Sequence, residues 1–239
     1  MRIPFETVMK ACSLPLRSVD TRFHILWLML AVLTMPSIAS AQDMSPAHFG
    51  DRLVDFMARL DLPATEEGKA LLTQCASEIT ESGQFKSTVC YHDEENSEVS
   101  RLVRREVLNA VRGLRIEPAI VGGTAVPVWF NFSVAYRQTG DNQHVEVFEN
   151  HLFNRERLGL NYTGAQRYNL ASWRCRGGRG LPITVSVNLS AAGEVVDVRP
   201  SADGRCSRSI VRAIRSSSFI PARLNGQDVE SLYMEVFFY

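Results

Sequence analysis

The chain has 239 residues, is about 45% hydrophobic and carries a formal net charge of zero. That composition is globular, and it excludes a disordered or fibrous chain. Zero net charge gives no electrostatic case for nucleic acid or for an anionic membrane surface.

The N-terminus reads as a secretory signal. Lys10, Arg17 and Arg22 form a positive region, and Ile25–Met35 is an apolar run. The run falls well short of the ~20 residues a spanning helix needs. Pro36 breaks it, and Ala39-Ser40-Ala41 is a small-residue cleavage pattern. Cleavage after Ala41 leaves Gln42 first. The leader is long, which a start at Met9-Lys10 would explain. An uncleaved signal anchor is the rival reading.

Cys12 leaves with the signal, and Cys75, Cys90, Cys175 and Cys206 remain. An even number of cysteines in an oxidising compartment reads as structural disulfides. Three pairings are open; the nearest-neighbour one keeps each bridge within one half of the chain. There is no CxxC, so a metal reading fails on spacing.

Charge is uneven. Residues 42–100 hold 12 acidic and 4 basic residues, and residues 101–239 hold 12 acidic and 18 basic. An acidic helical layer on a basic body accounts for this; a basic surface for an acidic partner is the sharper alternative.

Along the chain, Ser45 and Pro46 can open a helix through Phe49, Leu53, Phe56, Met57 and Leu60, closed by Pro63. A second helix is expected from Thr65 to Gly83, with Leu71, Leu72, Cys75 and Ile79 on one face. Phe85–Tyr91 reads as a short strand and Glu98–Leu114 as a third helix. Val126–Tyr136 and Gln143–Phe153 read as strands joined at Gly140-Asp141-Asn142. Residues 154–180 read as a connector. Ile183–Leu189 and Glu194–Arg199 form a hairpin, Cys206–Ser217 a helix and Leu232–Tyr239 a closing strand.

An internal repeat underlies this order. Ala110, Arg112, Pro118, Ala119, Gly123, Val126 and Tyr136 recur 103 residues later as Ala213, Arg215, Pro221, Ala222, Gly226, Val229 and Tyr239. The match is ungapped, with 7 identities in 27 positions. Each copy is the end of a helix, a Pro-Ala turn, a Gly turn and a strand. The first copy is degenerate upstream, where Phe85–Tyr91 and Asp93-Glu94-Glu95-Asn96 stand in place of a clean hairpin.

The run Val187-Asn-Leu-Ser-Ala-Ala-Gly-Glu-Val-Val-Asp-Val198, then Ala213-Ile214-Arg215, Phe219-Ile220-Pro221-Ala222 and Asn225-Gly226, resembles the carboxy-terminal domain of TonB-type energy transducers. Pro118-Ala119, Gly122-Gly123 and Val128-Trp129-Phe130-Asn131-Phe132 resemble it more loosely. The resemblance implies an α+β fold of two tandem β-β-α-β domains, the first degenerate and preceded by helices. The division is then a signal at 1–41, a helical segment at 42–82, the degenerate copy at 83–153, a connector at 154–180 and the second copy at 181–239.

It further implies a periplasmic protein-binding module that takes partner segments by sheet-edge pairing. Leu232, Tyr233, Met234, Glu235, Val236, Phe237, Phe238 and Tyr239 would be the partner-binding strand. The expected partners are envelope or outer-membrane protein segments, and edge strands also allow a homodimer. No nucleic acid, small-molecule cofactor or metal is expected. The alternative is an inner-membrane-anchored transducer facing the periplasm. TonB proper has a retained anchor and a long Pro-rich spacer, whereas this chain has 10 prolines and no Pro-rich tract. Binding without coupling to the proton-motive force follows.

No catalytic constellation is present. His92 beside Asp93, Glu94 and Glu95 reads as a solvated polar turn. His144 and His151 would face opposite sides of a strand. Arg174-Cys175-Arg176-Gly177-Gly178-Arg179 reads as a linker tied down by Cys175. Trp129 and Phe130 read as core packing.

Overall fold

The computed structural model describes residues 43–64, 70–92, 97–140, 142–150, 159, 161–169, 175 and 182–237. Among them lie three helices and a set of antiparallel sheets, an α+β architecture. No helix among the described residues is long and apolar enough to cross a membrane.

The first unit opens with β1 (Met44–Ser45) and α1 (Arg52–Ala58). Strands β2 (Ala70–Ile79) and β3 (Phe85–His92) form a hairpin, followed by helix α2 (Glu98–Ala110). A small hairpin of β4 (Ala119–Val121) and β5 (Thr124–Val126) leads into the long β6 (Val128–Thr139). The order is β3-β2-β6, all antiparallel. β7 (Asn142–Phe148) turns back along the far half of β6.

Two expectations are corrected here. Ser45 starts no helix; it pairs with Ile120 in a strand, and α1 begins after Asp51. Residues 70–79 are a strand, so one helix rather than two precedes the β2–β3 hairpin among the described residues. The physical reason lies in the spacing. Leu71, Cys75 and Ile79 recur every four residues, a period that suits one face of a helix and one face of a strand equally. Pairing decides between them. β2 lies between β3 and β6, with Thr73 and Ser77 buried on the same face as those three residues.

The second unit has the same plan. β8 (Tyr162–Thr163) and β9 (Gln166–Tyr168) lead in. β10 (Ile183–Leu189) and β11 (Val195–Pro200) form the hairpin, α3 (Arg205–Arg215) follows, and β12 (Ser218–Ile220) continues from it. β13 (Ala222–Leu224) and β14 (Gln227–Val229) form the small hairpin before β15 (Ser231–Phe237). The sheet order β11-β10-β15 repeats β3-β2-β6 with the first hairpin strand in the middle.

The upstream hairpin of the first unit is therefore complete, not degenerate. Its turn matches the second in detail. Thr80 N–H donates to Gln84 O at 3.0 Å, and Ser190 N–H to Glu194 O at 2.9 Å. The Thr80 and Ser190 hydroxyl oxygens each accept from the residue four positions on, Gln84 and Glu194, at 3.1 Å. Gly83 and Gly193 close the turns at φ +76° and +78°. Each lies against the backbone carbonyl of an equivalent residue after the helix, Ile116 or Phe219.

Two hydrophobic cores result. Phe49, Phe56, Phe85, Phe130 and Phe132 pack ring against ring in the first, under Val103, Val107 and Ala110 of α2. Val185, Val187, Ile210, Ile214, Phe219 and Tyr233 fill the second. Phe130 faces the first core while its neighbour Trp129 packs on the second, so β6 serves both units.

Candidate functional site

The four cysteines pair as sequence neighbours. Cys75 and Cys90 face each other across β2–β3 with Cα atoms 4.1 Å apart. Cys175 is bonded to Cys206 at the start of α3, Cα to Cα 5.1 Å. Two disulfides fit a non-cytoplasmic protein.

The expected partner-binding strand is β15, with Phe238 and Tyr239 outside the described residues. It pairs with β10 from Ile183↔Phe237 to Leu189↔Ser231 and ends the sheet among the described residues. Tyr233, Glu235 and Phe237 are buried. Leu232, Met234 and Val236 lie half-buried on the other face. Leu232, Met234 and Phe237 already have partners beyond those described here.

The opposite end of the sheet is β11, which carries marks of a guarded edge. Its register breaks by a bulge at Val196, it ends in Pro200, and Asp197 and Arg199 point outward. Bulges, proline and charge all discourage an added strand. Arg199 donates to Asp197 at 2.6 Å, and that bond holds the Asp197 carboxyl below its ordinary range, with a smaller contribution from Arg215.

Behind β15 lies a buried ion pair that the sequence did not announce. Arg167 of β9 grips Glu235 with two bonds, Nε to Oε2 at 2.8 Å and Nη2 to Oε1 at 2.6 Å. Tyr233 donates its hydroxyl to the same carboxylate at 2.6 Å, and Arg167 Nη1 reaches Ser217 Oγ at 3.3 Å. Arg167 and Glu235 are 5% and 4% exposed. Burial works against the Arg167 charge, but Glu235 and Tyr233 outweigh it and hold the guanidinium more firmly protonated than usual. Burial, then the Glu235 charge, pushes the Tyr233 phenol well up. A desolvated pair of this kind needs its two-pronged geometry to offset the loss of water.

Arg167 also marks the junction of the units. Its backbone pairs with Trp129 of β6 on one side and Phe219 of β12 on the other. Beside it, Gln166 clamps the leading segment, accepting from Ala47 N at 2.8 Å and donating to Ala47 O at 2.6 Å. Glu149 accepts from Phe49 N at 2.5 Å. Burial pushes the Glu149 carboxyl up, against the Phe49 bond and the nearby His48. A small cavity next to these groups is lined by Asn131, Glu149, Asn150, Gln166 and Leu232, and the side-chain oxygens of Asn131 and Asn150 there accept no hydrogen bond from the described residues.

His144 is exposed and stands 3.6 Å from Glu146, while His151 lies outside the described residues. So do Asp93, Glu94, Glu95, Arg174, Arg176 and Arg179. Phe130 is fully buried in the first core. Among the described residues no three of His, Cys, Asp and Glu come together as metal ligands.

Comparison with protein-family models, with curated proteins and with solved structures finds no match to this chain.

Proposed function

We propose that the chain is an exported envelope protein built from two units similar to the TonB carboxy-terminal domain, and that it binds a partner protein segment at the β15 side of the second sheet. The observation that carries the reading is the doubled hairpin–helix–strand plan, with one strand order and one turn geometry in both units. In the first unit the last strand, β6, is flanked on its far side by β7 and β9. In the second, β15 ends the described sheet and has none of the guarding features of β11. Because Leu232, Met234 and Phe237 already have partners, an incoming segment exchanges contacts there instead of filling an open edge. Main-chain pairing supplies affinity in this mode, and the alternate side chains supply selectivity.

The reading is of a binding module in the periplasm, not of an enzyme. A photo-crosslinking residue placed at Val236 tests it in the cell envelope. Adducts with an envelope protein from Val236, and none from Val54 on α1, are the expected result. Equal adducts from both positions, or none from Val236, would refute it.

A further inference from the structure

α3 departs from what a stable surface helix prefers. Arg205, Arg208, Arg212 and Arg215 are all exposed, and the helix contains no acidic residue. Their spacing places them within one arc of the outer face, along about 15 Å of helix. Like charges three and four residues apart repel. Arg205 also stands in the first turn, where the helix dipole disfavours a cation, and Gly204 provides no side-chain cap.

The equivalent helix of the first unit also has arginines at this spacing, Arg101, Arg104 and Arg105, but it contains acids and a cap. Ser97 caps α2 by accepting from Ser100 N, Glu98 occupies its first turn, and Arg105 is paired with Glu106 at 3.0 Å. Arg52, Arg199 and Arg223 also have carboxylate partners. Among the described residues no α3 arginine is within ion-pair distance of a carboxylate, and Arg215 reaches Asp197 only at longer range; on α2, Arg101 and Arg104 are likewise unpaired. α3 thus breaks the capping and first-turn charge rules that α2 keeps, and local rules broken on one element and kept on its duplicate mark a surface shaped for binding.

We propose that the outer face of α3 is a docking surface for an acidic, extended segment of a partner protein. An extended chain presents alternate side chains about 6.7 Å apart along one side. Two or three carboxylates therefore fall along the arginine stripe, and the guanidinium fork suits each of them. A lipid surface fits less well. Ile210, Ala213 and Ile214 are committed to the second core, so α3 has no apolar face left to enter a bilayer. The stripe borders β11, since Arg215 acts on Asp197, and it is a second surface that does not depend on pairing at β15.

The test uses the mature full-length chain and a fluorescein-labelled peptide of alternating Glu and Val, with a Gln-for-Glu twin. Anisotropy is expected to show binding of the acidic peptide only, weakened severalfold or more between about 50 and about 200 mM salt. Arg208→Glu with Arg212→Glu is expected to weaken binding by about tenfold or more, with unchanged circular dichroism. The control pair Arg101→Glu with Arg112→Glu, on the first unit, is expected to leave binding intact. Absence of binding, equal binding of the Gln twin, or equal loss in the control pair overturns the proposal. So does a preference for vesicles containing phosphatidylglycerol over the peptide. Crosslinking from Val236 is scored separately in the same variants, so failure here leaves the β15 reading standing or falling alone.

Discussion

Two pairs of equivalent glycines allow the duplicated architecture to be weighed. Gly83, Gly193, Gly123 and Gly226 have φ of +76°, +78°, +78° and +78°. Alanine at any of them meets the same backbone penalty, about 1–2 kcal/mol. Part of this is returned by the stiffer unfolded chain, leaving about 1 kcal/mol. The surroundings differ. A Cβ at Gly123 or Gly226 has nothing within 4 Å. A Cβ at Gly193 would lie 2.5 Å from Phe219 O, and one at Gly83 closer still to Ile116 O. A backbone carbonyl cannot swing away as a side chain can. The strand after the helix must shift, which strains the Ile116 N–H to Gly83 O bond, now 2.9 Å. Overpacking of this kind costs a further 1–3 kcal/mol, roughly. Gly83→Ala and Gly193→Ala should therefore unfold about 3–10 °C below Gly123→Ala and Gly226→Ala. Differential scanning calorimetry on the four variants measures this. Equal losses in all four would refute the close turn-to-strand approach.

Other expectations follow from the buried groups. Glu235→Gln leaves Arg167 charged and underpaired in the interior, a loss of roughly 3–5 kcal/mol in urea unfolding, whereas Arg167→Met with Glu235→Met should recover most of it; a single-variant loss under about 1 kcal/mol would show the pair to be dispensable. For Glu149, burial raises the folded-state pKa, so the native state holds its proton to higher pH than the unfolded chain. The stabilisation is present at low pH and is lost as pH rises through the raised value. Glu149→Gln should therefore gain stability relative to the parent as pH rises from the ordinary glutamate range through the raised value, and a pH-independent difference would contradict this. The disulfides span separations of 15 and 31 residues, so Cys75→Ser/Cys90→Ser should cost about 3 kcal/mol and Cys175→Ser/Cys206→Ser slightly more in denaturant titrations. Loss of neither bridge affecting stability would contradict their structural role.

Much of the architecture is written locally. The hairpin, helix and strand of residues 183–237 were legible because alternation, turn glycines and helical spacing all agree over short windows. The repeat was legible from α2 onward because both units keep one spacing from helix to final strand, with β4 and β13 starting at Ala119 and Ala222. Upstream it was not. Gly83 and Gly193 are 110 residues apart, while Ile116 and Phe219 are 103 apart. The first unit has a longer second hairpin strand and a helix that starts earlier relative to the strand after it, and an ungapped comparison loses register across that stretch.

What tertiary structure alone decided has a common cause: the deciding partner is far away in the chain. Leu71, Cys75 and Ile79 satisfy two periodicities, and only the flanking β3 and β6 choose the strand. Arg167 looks like any surface arginine until Glu235, 68 residues on, is brought against it and water is removed. Gln166 and Ala47 are 119 residues apart. Helical spacing likewise shows where the α3 arginines lie, but not that among the described residues none of them is paired with a carboxylate. Sequence by itself determined the repeat, the four cysteines at 75, 90, 175 and 206 and the terminal hairpin–helix–strand order, because local backbone preference and hydrophobic period specify those. Burial, pairing and unpaired charge depend on which distant surfaces meet, and only the folded chain settles that.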